Sequence, residues 1–219
     1  MTDDETSCDG ASGDERGDRS ASGDGSVPDD ERTPDDDSLA WDVLDAEIAY
    51  SCPGFDVRRE QVRLPDGTET DFDYLVESPS VVVLPFTPDG DVVVIEEWRQ
   101  AVGRTNRSLP VGGMESDDGS RGAAARRELR EETGYEADEV SFLTSVEPAN
   151  GVADSVLHFF VARGCRPTAQ QALDGDESIR VDTTTMAELR DHVAASEVRD
   201  GRTTLGVLYY EAFGDAPSN

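Results

Sequence analysis

The run Arg127-Glu128-Leu129-Arg130-Glu131-Glu132-Thr133-Gly134 carries the strongest chemical signal in this chain. On an α-helix each residue advances about 100° around the axis, so with Glu128 at zero, Glu132 lies near +40° and Glu131 near about −60°. Three carboxylates therefore share one face. Like charges at this spacing repel by roughly 0.2–0.5 kcal/mol per pair, and hard divalent cations, which prefer oxygen ligands, relieve that repulsion. Arg127 flanks the cluster, one helical turn from Glu131. Ahead of the helix, Leu109-Pro110-Val111-Gly112-Gly113 reads as a strand end followed by a sharp bend. Paired glycines let the backbone approach a metal or phosphate and present a carbonyl as a further ligand. Ala124, one turn before Glu128, leaves room above the carboxylates. The competing reading is a solvated acidic face with arginines nearby, which a chain this acidic readily produces.

The spacing of these residues resembles the Nudix box: Gly113, then Arg127-Glu128-Leu129, Glu131-Glu132 and Gly134-Tyr135, all in register. Two positions depart from it. Gly119 stands where the family places its first Glu, with Asp117 and Asp118 just before it, and Tyr135 replaces an aliphatic residue. From about Trp41 onward the chain is similar to the ADP-ribose pyrophosphatase branch. The likeness runs through Ser80-Val81-Val82-Val83-Leu84, Glu97-Trp98-Arg99-Gln100-Ala101-Val102-Gly103 and Asp176-Glu177-Ser178-Ile179-Arg180-Val181. Here too there are departures: Ser108 where the branch often has Glu, and Asn150 where it has Pro, with Pro148 two residues early.

The resemblance implies a Nudix-type α/β/α sandwich with a mixed sheet, and metal-dependent hydrolysis of a pyrophosphate linkage in a nucleoside-diphosphate derivative. Its best substrate is ADP-ribose, split to AMP and ribose 5-phosphate. Glu128, Glu131, Glu132 and the Gly112 carbonyl are then ligands of Mg2+ or Mn2+. Arg127 orients the carboxylates, Glu177 is a candidate base, and Arg99 a candidate phosphate holder through its planar fork of donors. Glu147 and Asp154 are further candidate ligands, while His158 and His192 receive no role. Alternatives are another Nudix substrate (a sugar-nucleotide, a dinucleotide or a nucleoside triphosphate) or a Nudix fold kept as a non-catalytic regulatory module.

Elements to position these groups are readable. Val57, Val62 and Leu64, then Phe72, Tyr74 and Val76, nearly alternate with polar residues around the turn Pro65-Asp66-Gly67, which predicts an antiparallel pair over 55–77. Val81–Phe86 and Val92–Glu97 are two more strands, joined by Thr87-Pro88-Asp89-Gly90. A Gly- and Arg-rich loop is expected from Ala101 to Gly119. Ser120 can cap a helix that Gly134 ends. Strands follow near Val140–Val146, Val156–Val161 and Ile179–Asp182. Thr185-Met186-Ala187-Glu188 is a capping box opening a helix to about Ala195, and a final helix runs from about Arg202 to Phe213.

The domains expected are an acidic segment over 1–38, a strand module over 39–78 and a hydrolase domain over 79–219. Residues 1–38 hold 14 acidic and 3 basic side chains and no aromatic ring, too little apolar surface to offset chain entropy, so disorder is expected there. The resemblance implies a homodimer formed through the strand module. Trp41, Tyr50 and Phe55 are candidates for that interface, for base stacking, or for plain core packing.

Composition limits the partners. Of 219 residues, 49 are acidic and 19 basic, a formal net charge of −30, and every basic residue is arginine. Such a field repels nucleic acid and anionic membranes. Dense carboxylates keep a surface hydrated while salt screens their repulsion, a pattern that fits a halophile. Cys8, Cys52 and Cys165 suggest neither a disulfide framework nor zinc ligation. With no basic start or apolar run at the N-terminus and no apolar run long enough to span a bilayer, the expectation is a cytoplasmic protein.

Overall fold

The Asp- and Ser-rich start of the chain gives way at about residue 39 to alternating apolar positions, and the computed structural model describes residues 38–175 and 177–214. The expected disordered segment 1–38 lies, apart from Ser38, outside the described residues. Three antiparallel strands come first: β1 (Asp42–Cys52), β2 (Phe55–Arg63) and β3 (Glu69–Val76). The turn at Pro65-Asp66-Gly67 sets the β2–β3 register, with Arg63 opposite Glu69 and Gly67 at φ +87°. The sequence pattern anticipated this pair. β1 is an edge strand whose residues are exposed up to Cys52.

The central sheet is mixed. It contains β4 (Ser80–Pro85), β7 (Val111–Gly113), β9 (Glu139–Val146) and β10 (Leu157–Arg163), in the order β7-β4-β10-β9. β4 and β10 run parallel, and the other pairs are antiparallel. A second sheet places β5 (Val92–Arg99) between β6 (Arg104–Ser108) and β12 (Ile179–Thr184). A two-stranded ribbon pairs β8 (Tyr135–Glu136) with β11 (Arg166–Pro167). The helices are α1 (Arg121–Thr133), α2 (Met186–Ala194) and α3 (Gly201–Phe213).

Alternation on β4 creates both layers. Val81 and Val83 face α1 and pack with Ala124, Ala125, Leu129 and Phe160. Val82 and Leu84 face the other way and pack with Val92, Val94, Leu109, Phe159, Leu189 and Val207. The sheet is thus covered on both sides, which is why Val81–Leu84 is apolar throughout rather than alternating. Leu129, fully buried, seats α1 on the sheet, an interaction of about 2 kcal/mol in apolar surface alone.

Two expectations need correction: the loop over 101–119, and core packing of Trp41, Tyr50 and Phe55. The loop over 101–119 contains the strands β6 and β7. β6 reads Arg-Thr-Asn-Arg-Ser, with no apolar alternation, and is a strand because it adds to an edge of β5. The tight turn Thr87–Gly90 joins β4 to β5, but only the Phe86–Val92 bridge pairs them, and the two strands then enter different sheets. Trp41, Tyr50 and Phe55 are not core residues: they are 45%, 57% and 37% exposed. The strand module's hydrogen bonds to the rest of the chain include those of Leu75, whose N–H donates to Val152 O and whose carbonyl accepts from Asp154 N–H, and of Glu77, whose N–H donates to Asp154 Oδ1.

Candidate active site

α1 begins where Ser120 Oγ accepts the Ala123 N–H at 3.1 Å and ends at Gly134, left-handed at φ +73°. Its buried stripe of Ala124, Ala125 and Leu129 fixes its rotation on the sheet, and that rotation aims Glu128 and Glu132 at the Leu109–Gly113 turn, with Glu131 beside Arg127. Glu132 Oε2 accepts the Val111 N–H at 2.9 Å. A side chain at Gly112 would place its Cβ 2.1 Å from Glu128 Cδ, so only glycine admits the Glu128 carboxyl there. The β4–β7 ladder includes Val83 N–H to Pro110 O and Met114 N–H to Pro79 O, which makes Val81–Gly112 one of its hydrogen-bonded positions. The second lone pair of the Gly112 carbonyl remains for a ligand.

Arg127 organises the face. Its Nη1 lies 2.7 Å from Glu128 Oε1 and 3.0 Å from Glu131 Oε2, and its Nη2 donates to Gly113 O at 2.8 Å. Its Nε and Nη2 meet Asp118 Oδ1 and Oδ2 at 2.8 and 2.9 Å, a two-point fork. Asp118 thus supplies the carboxylate that the sequence pattern lacks at Gly119. Gly119 itself sits at φ +68°, a conformation that turns Asp118 inward and disfavours a longer residue. Sequence reading noted Asp118 but gave it no role. The available signal was an acidic residue one position early.

Burial dominates the electrostatics. It pushes the Glu128 carboxyl up to about 7, opposed by Arg127 and reinforced by Glu131 and Glu177. It pushes Glu132 up to about 9, opposed by the Val111 hydrogen bond and reinforced by Glu128, Glu177 and Glu97. Glu97, 5% exposed, is also raised by burial, with Arg99 opposing. Glu177 lies on the loop before β12, lines the same cleft and accepts the Asp174 N–H at 3.0 Å.

The cleft has a volume of about 760 Å³ and is bordered by Glu128, Glu131, Glu132, Glu177, the Pro53-Gly54 turn and Pro148. That size suits a nucleotide-sized ligand. No aromatic side chain lines it among the described residues. Arg99 does not line it either, its Nη2 lying 2.7 Å from Glu97 Oε2. Asp154 Oδ1 accepts the Glu77 N–H instead of facing the cleft, and Glu147 borders a separate shallow depression with Asn150. His158 is buried with Nδ1 2.6 Å from Ser145 Oγ, and burial lowers its pKa. His192 lies 3.8 Å from Glu197 at the surface.

The sequence model of the NUDIX domain matches residues 76–202. The chain belongs to the NUDIX domain family. The matched segment runs from the end of β3 to the start of α3 and contains all the carboxylates just described. Among relatives, the chain is 29% identical over 175 residues to an ADP-ribose pyrophosphatase of Bacillus subtilis (strain 168), covering 80% of this chain and 94% of the relative. It is 29% identical over 153 residues to a methanol dehydrogenase activator of Bacillus methanolicus, covering 69% and 82%. It is 35% identical over 95 residues to a GDP-mannose pyrophosphatase of Klebsiella pneumoniae, covering 42% and 48%. A solved structure, the crystal structure of ADP compounds hydrolase, superposes with a TM-score of 0.71 at 19% identity, covering 81% of this chain and 96% of the other. That likeness establishes the shared fold, a mixed α/β architecture.

A divalent cation fits the chemistry of this NUDIX site. Buried carboxylates whose pKa values rise to about 7 and about 9 must be neutralised by a proton or a cation, and the donors are hard oxygens. Among the described residues, no three His, Cys, Asp or Glu side chains are arranged as a metal cage. Arg127 bridges Glu128 and Glu131, and Glu132 is turned onto Val111.

Proposed function

We propose that this chain hydrolyses the pyrophosphate linkage of a nucleoside-diphosphate derivative, with ADP-ribose split to AMP and ribose 5-phosphate as its reaction. The observation that carries this reading is the convergence of Glu128, Glu131, Glu132 and Glu177 around one cleft behind the Gly112 backbone. The similarity to ADP-ribose pyrophosphatases over most of the chain supports the substrate.

Glu128, Glu131, Glu132 and the Gly112 carbonyl would hold Mg2+ or Mn2+. When bound, that cation neutralises phosphate charge and acidifies water. Arg127, held by Asp118, keeps Glu128 and Glu131 in place. Glu177 takes the proton of the attacking water as its oxygen bonds to phosphorus and the bridging P–O bond breaks. A base so placed contributes about 10²–10⁴-fold.

The same reading makes residues 39–78 a dimerisation module and 79–219 the hydrolase domain, with the acidic segment 1–38 outside both. Exposed Trp41, Val43, Ile48 and Tyr50 on and beside the edge strand β1 support a homodimer. Among the described residues no helix is long and apolar enough to cross a membrane. The net charge of −30 supports a salt-rich cytoplasm.

The GDP-mannose pyrophosphatase relatives favour a sugar-nucleotide as the second substrate reading. A panel of ADP-ribose, GDP-mannose, a dinucleotide and a nucleoside triphosphate, with Mg2+ or Mn2+ at molar salt, separates the readings. AMP released from ADP-ribose and lost in Glu132→Gln is the expected result. Turnover of another panel member alone would reassign the substrate. No turnover by a metal-binding protein would favour a regulatory module.

A further inference from the structure

Seven carboxylates and two guanidinium groups line the cleft among the described residues. A diphosphate entering such a field needs cationic donors beyond a bound metal. Arg127 is not one of them: its Nε, Nη1 and Nη2 are all engaged by Asp118, Glu128, Glu131 and Gly113. The other cation is Arg202, in the first turn of α3.

Arg202 is placed for this work. Its Nε and Nη2 donate to Asp200 Oδ2 at 3.2 and 3.0 Å, which fixes the guanidinium plane. Its Nη1 makes no hydrogen bond or ion pair with a described residue. Asp200 is itself locked, because its Oδ1 accepts both the N–H and the Oγ1–H of Thr203, at 2.9 and 2.8 Å. Thr203, fully buried, in turn accepts the Leu109 N–H at 2.9 Å. Leu109 opens the turn whose Val111 N–H holds Glu132. A short chain of part-buried and buried hydrogen bonds thus ties the guanidinium to the catalytic carboxylates, so little ordering is left to do when an anion binds.

We infer that Arg202 is a substrate-binding residue that donates to the diphosphate of the ligand in this cleft. The inference rests on the proposed pyrophosphate chemistry, and it assigns the role expected for Arg99 to a residue about one hundred positions further along the chain.

The test uses the full-length protein with Mg2+ at molar salt, and the variants Arg202→Gln and Arg202→Lys. The readouts are kcat and KM for ADP-ribose, the Kd of inorganic pyrophosphate by calorimetry, and the Kd of Mn2+. Loss of a charge-assisted donor should raise KM and the pyrophosphate Kd together by about 10- to 100-fold in Arg202→Gln. Arg202→Lys should fall between, with kcat and Mn2+ affinity little changed. If Arg202→Gln fails to fold, the Lys variant carries the comparison. Unchanged pyrophosphate affinity in a folded variant overturns the inference, whatever the substrate proves to be, as does a wild-type protein that binds no pyrophosphate. Absent ADP-ribose turnover with pyrophosphate affinity still lost in Arg202→Gln would reject ADP-ribose as substrate and leave Arg202 assigned.

Discussion

Replacing Glu132 by Gln should stabilise the metal-free protein while abolishing its activity. Glu132 is 2% exposed, and burial lifts its carboxyl from 4.5 to about 9. An acid whose folded pKa is raised binds its proton more tightly in the folded state. Its stabilising share is therefore complete below the unfolded value and is lost as pH rises from 4.5 towards about 9. At about pH 7.5, about three pH units above the unfolded pKa, the loss is about 4 kcal/mol at about 1.36 kcal/mol per unit. Gln avoids that loss and can keep the Val111 hydrogen bond through its carbonyl oxygen. Its NH2 group has no acceptor in place, at a cost of about 1–3 kcal/mol. The net gain for Glu132→Gln is then about 1–3 kcal/mol near neutral pH, shrinking to nothing and reversing towards pH about 5. Urea midpoints in molar salt with EDTA, across that pH range, measure it. Adding Mg2+ or Mn2+ should raise the wild-type midpoint and leave the variant nearly unmoved. A stability difference that does not vary with pH, or a Gln variant less stable at alkaline pH, would refute the reasoning.

Three further outcomes follow from the site. Asp118→Ala frees Arg127 and should weaken Mn2+ binding about 10- to 100-fold, read by titration, while Asp118→Glu keeps part of the affinity. Gly112→Ala drives a methyl group into the Glu128 carboxyl and should abolish turnover and cost about 1–3 kcal/mol in a melting experiment. Glu177→Gln should lower kcat by about 10²–10⁴-fold with KM nearly unchanged, and an unaltered kcat would remove it as the base.

Much of the local structure was legible because it is written in neighbouring residues. Ser120 and Gly134 bound α1 through short-range hydrogen bonding and one left-handed residue, and Thr185 and Glu188 form the capping box that opens α2. Strand β6 was missed because its polar sequence carries no periodicity and only the open edge of β5 recruits it. The failure at Gly119 was of another kind. A pattern match compares positions one by one, whereas the fold needs a carboxylate in reach of Arg127, and Asp118 meets that need from the adjacent position through the Gly119 turn.

The sequence by itself determined the carboxylate face of α1, the glycine bend before it, the three helices and the more apolar strands, and the chemistry those oxygens can support. Each depends on contacts within a few residues, whose geometry repeats in any chain. Only the tertiary structure decided that β4 lies parallel to β10, that Arg99 is spent on Glu97, and that Arg202 reaches the cleft. The first and last of these join residues some seventy to eighty positions apart, and all three are set by which buried surfaces and hydrogen bonds can be satisfied together. Local periodicity carries no record of that choice.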